Sequence, residues 1–74
     1  MYEYEELYGK AIAENSTAED RVGLFRWMER YDMRSWNGEE FSLRNGRSLR
    51  PVYNTIFDED GEIYEIEVID AVIA

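Results

Sequence analysis

Seven carboxylates fall between Asp58 and Asp70 with no Lys or Arg among them, and this is the densest charge in the 74-residue chain. Asp58, Glu59, Asp60 and Glu62 are nearly contiguous, while Glu65 and Glu67 stand two residues apart, the spacing that puts both side chains on one face of a strand. A row of carboxylates on a rigid sheet reproduces the spaced negative charge of a nucleic-acid backbone and offers a docking surface to a basic protein. With Gly61 set at the invariant glycine of a calcium loop, Asp58, Asp60 and Glu67 fall on ligand positions. Ile56 then occupies the first of them, and the flanks have the alternation of strands, so a turn is the better reading and no metal is assigned.

Catalytic chemistry has little to draw on. Histidine and cysteine are absent, which removes the commonest general base, the thiol nucleophile and the zinc ligand sets. No pattern places two carboxylates in an apolar cleft that would separate their pKa values. The chain is expected to be no enzyme and to carry no cofactor.

The second concentration of chemistry is an arginine band. Seven Arg stand against one Lys, and all seven lie between residues 21 and 50. Residues 1–20 carry a net −5, residues 21–50 a net +3 and residues 51–74 a net −7, for −9 overall. Guanidinium groups suit carboxylates and stack on aromatic rings, so Trp36 with Arg30 and Arg34 forms an alternative recognition patch. The simpler expectation is that the band pairs with the two acidic ends. The overall charge argues against direct binding to nucleic acid or to an anionic membrane.

Among the elements that must carry these groups, Tyr4, Leu7, Tyr8, Ala11 and Ile12 recur at helical spacing within Tyr2 to Glu14, with Glu3, Glu5 and Glu6 at the favourable end of the helix dipole. Ser16 or Thr17 caps a second helix from about Ala18, Ser16 having Glu19 three residues on. Its apolar set, Val22, Leu24, Phe25, Trp27, Met28 and Tyr31, is wide enough to need cover on two flanks. That makes it the centre of the domain, with Trp27 largely buried and Gly23 serving a close approach to the first helix.

Beyond Asp32 the period shortens. Met33 to Trp36 reads as a short strand, Asn37-Gly38 as a tight hairpin turn, and Glu39 to Leu43 as the returning strand. A loop from Arg44 to Ser48 sets Leu43 opposite Leu49 and Phe41 opposite Pro51, keeping apolar residues on one face. Pro51 has no N–H and belongs at a position without a ladder bond. Leu49 to Phe57 and Glu62 to Val68 form the clearest hairpin, with Gly61 at positive φ, Tyr53, Tyr64 and Ile66 on the core face, and Glu65 and Glu67 opposite. Ile69, Ala71 and Ile73 change parity, which implies a bulge near Asp70.

The fold class is therefore α+β: one domain over residues 1–74, with two N-terminal helices followed by a three- or four-stranded antiparallel β-meander, the helices on one sheet face. The N-terminal residues are acidic where a secretory signal is basic and then apolar, and no run is long enough to span a membrane, so a cytoplasmic protein is expected.

The segment YDMRSWNGEEF, followed by an acidic closing strand, resembles small uncharacterised accessory proteins of Gram-positive phages and conjugative elements over roughly residues 17 to 43. The resemblance implies a mobile-element product concerned with host-defence evasion or transfer regulation, and it brings no catalytic residue. With the charge pattern it leads to a non-catalytic protein that binds a basic partner through an acidic sheet face, in the manner of a nucleic-acid mimic. The alternative is a regulatory or structural module that uses the aromatic patch around Trp36.

Overall fold

Two helices precede three strands in the computed structural model, which describes residues 2–74. Helix α1 spans Tyr2–Ile12 and α2 spans Ala18–Tyr31. Thr17 rather than Ser16 caps α2. The Asp20 N–H donates to the Thr17 hydroxyl and the Thr17 N–H to the Asp20 carboxylate, at 3.2 and 3.1 Å, so each side chain accepts from the other residue's otherwise unpaired N–H at the helix start.

The core is small. Tyr8 and Ala11 from α1, Leu24, Phe25 and Met28 from α2, and Phe41, Leu49 and Ala71 from the strands are its buried apolar residues. Leu24, Phe25 and Met28 project from one stripe of α2, which lies against strand β3 (Ile63–Ile73) and more lightly against β2 (Ser48–Phe57), while α1 packs on α2. The expectation that α2 is covered on two flanks holds.

Trp27 is largely buried, as expected, but it is turned toward α1, with its ring between Tyr4 and Tyr31 at 5.1 Å from each centroid. It packs on the core from outside because the three residues that face the sheet are Leu24, Phe25 and Met28. Gly23 is also not demanded by a close approach, since a Cβ there would meet Leu7 at an ordinary 3.7 Å.

The segment expected as a strand before Asn37 is a 3-10 turn, Met33–Ser35. Asp32 causes it: its carbonyl accepts the Ser35 N–H and its carboxylate the Ser35 hydroxyl, a local alternative to the sheet ladder. Asn37 and Gly38 do not form a two-residue turn either. Trp36 bridges Phe41, and the intervening loop closes through Asn37 N–H to the Glu40 carbonyl, with the Asn37 side chain accepting from Glu39 and Glu40 N–H. Strand β1 is consequently only Phe41–Ser42.

The sheet is antiparallel in the order β1-β2-β3. Phe41 pairs with Leu49, two residues from the expected partner Pro51. An even slip leaves every side chain on its expected face, so Phe41 and Leu49 still meet in the core. Asp70 marks the expected bulge, with Ile69 unpaired between Asp70 opposite Val52 and Val68 opposite Tyr53. A second shift, not expected, leaves Tyr64 unpaired and sets Ile63 opposite Phe57. Ile63 therefore takes the face expected for Tyr64.

Ser48 and Ala74 exchange both backbone hydrogen bonds, and the Asp58 N–H donates to the Glu62 carbonyl. Because the ladder alternates, even-numbered residues of β2 present their backbone groups to β3 and odd-numbered ones to the opposite edge. Pro51 sits on the second set, where its missing N–H costs no bond to β3, as the sequence requires.

Candidate interaction site

The β2–β3 hairpin outruns its cover. A 14-residue helix such as α2 is about 21 Å long, whereas the ten residues of β2 extend about 33 Å. The molecule measures 44 × 27 × 21 Å. Full burial on the core face ends with Leu49, Pro51 and Ala71, and Val68 is half-buried against the core. Farther along that face Tyr53, Phe57, Ile63 and Ile66 are each more than half exposed. Tyr53 and Ile66 do share a face, as the alternation implied, but that face has left the core.

All six carboxylates singled out from the sequence lie at this projecting end. Asp58, Glu59, Asp60, Glu62 and Glu65 are exposed and Glu67 is half-buried. Asp58 organises the turn, one carboxylate oxygen accepting from Asp60 N–H and Glu62 N–H at 2.9 Å each, and Gly61 takes φ +81°. Glu65 and Glu67 stand opposite Ile56 and Asn54 on the face away from the core, with Glu67 accepting from the Asn54 amide at 3.3 Å. No group of three acidic side chains among the described residues converges as a metal ligand set.

Five of the seven arginines meet acids elsewhere. Arg44 binds Glu5 and lies over the rings of Tyr4 and Tyr8, which lowers the Glu5 carboxyl below its ordinary value through the hydrogen bonds from the guanidinium. Arg21 grips Asp70, with Nε donating at 3.0 Å, and also donates to the Ser16 hydroxyl and carbonyl. Arg26 pairs with Glu29, Arg34 with Asp32, and Arg50 with Glu39 and Glu40. Among the described residues, only Arg21 and Arg44 thus reach the acidic ends of the chain; the other pairs form inside the band. Among the described residues, none of the six carboxylates from Asp58 to Glu67 has a basic partner.

Asp70 does different work from its acidic neighbours. The Arg21 hydrogen bond, aided by the Ala71 N–H, holds its carboxyl below the ordinary Asp value. A depressed folded-state value stabilises the fold above the unfolded pKa, about 4, and that contribution disappears as pH falls through the folded value. Asp70→Asn is expected to lower stability near neutrality by about 1 kcal/mol, the pair being partly exposed, with the deficit vanishing in acid. Thermal melts of the two proteins across the acid range check this; a deficit that persists below the Asp range would assign the effect to packing.

The three residues of the alternative patch engage separate partners. Trp36 is half-buried against Phe25 and Phe41, at centroid distances of 6.1 and 4.8 Å, so it closes the core. Arg30 leans over Tyr31, and Arg34 is exposed beside Asp32. The residues that sequence reasoning missed are the apolar ones beside the carboxylates, Tyr53, Phe57, Ile63 and Ile66: alternation assigns Tyr53 and Ile66 to the core, and Ile63 reaches the same face only through the second register shift.

The fold and site together define a small α+β protein with an uncovered, acidic and partly apolar hairpin. Comparison with protein families, curated proteins and solved structures found no match for the chain. No helix is long and apolar enough to cross a membrane among the described residues.

Proposed function

We propose that this is a non-catalytic interaction protein that docks a basic protein surface through the acidic end of the β2–β3 hairpin. What carries the reading is that six carboxylates project at the end of one hairpin, with no base between residues 51 and 74, while five of the arginines are committed to other acids. Charge that served folding alone would be paired or dispersed, since like charges on a hairpin repel. A nucleic-acid-binding protein of the host is the partner class that such a charged element mimics a ligand for, and inhibition of host defence by a cytoplasmic mobile-element product is the biological form of this reading. The second reading, an aromatic module at Trp36 with Arg30 and Arg34, has less support because the three side chains engage separate partners.

The test is capture from cell lysate by the protein and by its Glu65→Gln, Glu67→Gln variant, at rising salt. Exposed charges are screened beyond about 8 Å at physiological ionic strength, so capture should fade with salt. The double variant should lose roughly 1 kcal/mol of binding, about fivefold in affinity, with a melting temperature level or raised. A partner that stays bound in high salt and tolerates both substitutions, but is lost on Trp36→Ala in a folded protein, would transfer the function to the aromatic patch.

A further inference from the structure

Resting on the hairpin as the docking end, we propose that the partner contributes an extended segment of alternating basic and apolar residues, which adds to the sheet as a fourth strand along Tyr53, Thr55 and Phe57 of β2. Strand β1 occupies this edge only opposite Ser48 and Leu49. By the alternation that Ser48 and Asp58 establish, the N–H and C=O groups of Tyr53, Thr55 and Phe57 point to the same edge, beyond the end of β1, where no strand pairs with them among the described residues. A row of open backbone donors and acceptors is a template for strand addition.

The two edges of the hairpin are treated differently. Strand β3 carries both bulged residues, Ile69 and Tyr64, and the charges of Glu65, Glu67 and Asp70, all of which obstruct a regular incoming strand. From Pro51 to Phe57, β2 has no charged residue and no bulge, and it is rich in β-branched and aromatic side chains. The unguarded edge is the one beside the exposed rings of Tyr53 and Phe57.

The chemistry of the occupant follows from the two faces. On one face an added strand meets Tyr53 and Phe57 and needs apolar side chains. On the other it meets Asn54 and Ile56, with Glu67 and Glu65 directly behind them on β3, about 10 Å away across two strand spacings and within the joint reach of a Lys or Arg and a Glu side chain. A hollow of about 330 Å³ lined by Trp36, Gly38, Glu39, Arg50, Pro51 and Tyr53 receives a side chain at the head of the edge. A second copy of this chain is disfavoured as occupant. It would bring its own seven hairpin carboxylates, with Arg50 as the single base of the two strands, against the first set.

The experiment uses the full chain, isotopically labelled, with a capped eight-residue peptide alternating Lys and Val, and with the same peptide N-methylated at alternate residues along its pairing edge. The unmodified peptide should slow amide exchange of Tyr53, Thr55 and Phe57 at least tenfold, and the methylated one should not. Thr55→Pro removes one outward N–H at a position of the same parity as Pro51. It keeps every carboxylate, and in a protein that still melts cooperatively it should weaken the unmodified peptide at least tenfold. Equal binding of both peptides, without amide protection but sensitive to Glu65→Gln with Glu67→Gln, overturns strand addition and leaves acidic docking standing. Failure of both peptides to bind at low salt overturns both. Protection of the three amides that rises with protein concentration in the absence of peptide assigns the edge to a second copy instead.

Discussion

Phe25→Ala is expected to abolish cooperative folding or bring the domain to the edge of it. Phe25 is almost completely buried and touches both other aromatics of the core lid, with its ring 5.3 Å from Phe41 and 6.1 Å from Trp36. Truncating such a ring costs about 3–5 kcal/mol, and 74 residues support a total of roughly 4–11 kcal/mol, with small chains at the lower end. Trp27→Ala should do less, though Trp27 is the larger residue. Its ring is sandwiched between Tyr4 and Tyr31 on the outside of α2, and its Nε1–H is buried without an acceptor among the described residues, which offsets part of what the ring contributes. Thermal and urea unfolding followed by far-ultraviolet circular dichroism compares the pair. A cooperative Phe25→Ala protein with unchanged midpoint, beside an unfolded Trp27→Ala, would mean that α2 is rotated by about one residue, about 100°, from its placement here.

That rotation is the kind of detail periodicity leaves open. The apolar residues of α2 cover so much of its circumference that the pattern locates a central helix without saying which flank meets the sheet and which meets α1. The caps were more legible: Ser16 and Thr17 both had an acidic residue three positions on, and only the geometry of the turn decided for Thr17. Between β1 and β2, parity survived where register did not. The apolar faces of Phe41 and Leu49 were readable because a two-residue slip leaves them unchanged, but the position of the loop was not. Asn37-Gly38 misled for a local reason, the Asn37 side chain accepting from two backbone N–H groups and holding a wider loop open.

The six carboxylates were legible as a cluster because charge density needs no structure to be counted. Their isolation from the arginines was not, because ion pairs depend on which elements come together: Arg26, Arg34 and Arg50 find acids inside their own segment. The exposed apolar residues beside the carboxylates were hidden for a different reason. Alternation assigns Tyr53 and Ile66 to the same face as Leu49 and Pro51, and it carries no information about where the helices stop covering that face. Lengths did carry it. A 14-residue helix cannot roof two strands of 10 and 11 residues when the rise per residue in a strand is about twice that in a helix.

The uncovered end should open far more readily than the rest of its own ladder. The N–H groups of Arg50, Val52, Asn54 and Ile56 all face β3, yet the first two lie beside the buried Leu49, Pro51 and Ala71 and the last two lie beyond them. Past Val52 the hairpin is held by cross-strand pairs such as Tyr53 with Val68, Thr55 with Ile66 and Phe57 with Ile63, each contributing about 0.2–1 kcal/mol, and by the Asp58-ordered turn. A two-stranded hairpin without a third layer is marginal, so its opening free energy should fall about 3 kcal/mol below that of the covered half, or roughly a hundredfold in exchange rate. Native-state hydrogen exchange at low protein concentration is expected to show Asn54 and Ile56 exchanging about that much faster than Arg50 and Val52, by local rather than global opening. Equal protection along the strand, independent of concentration, would mean that the far end is covered in solution and is not the free element on which the docking proposal depends. The expected asymmetry has a functional consequence of its own: an edge that opens this easily is ordered by what pairs with it, so part of the binding free energy goes to fixing the hairpin, and variants that rigidify its turn without touching Tyr53 to Phe57 should bind more tightly.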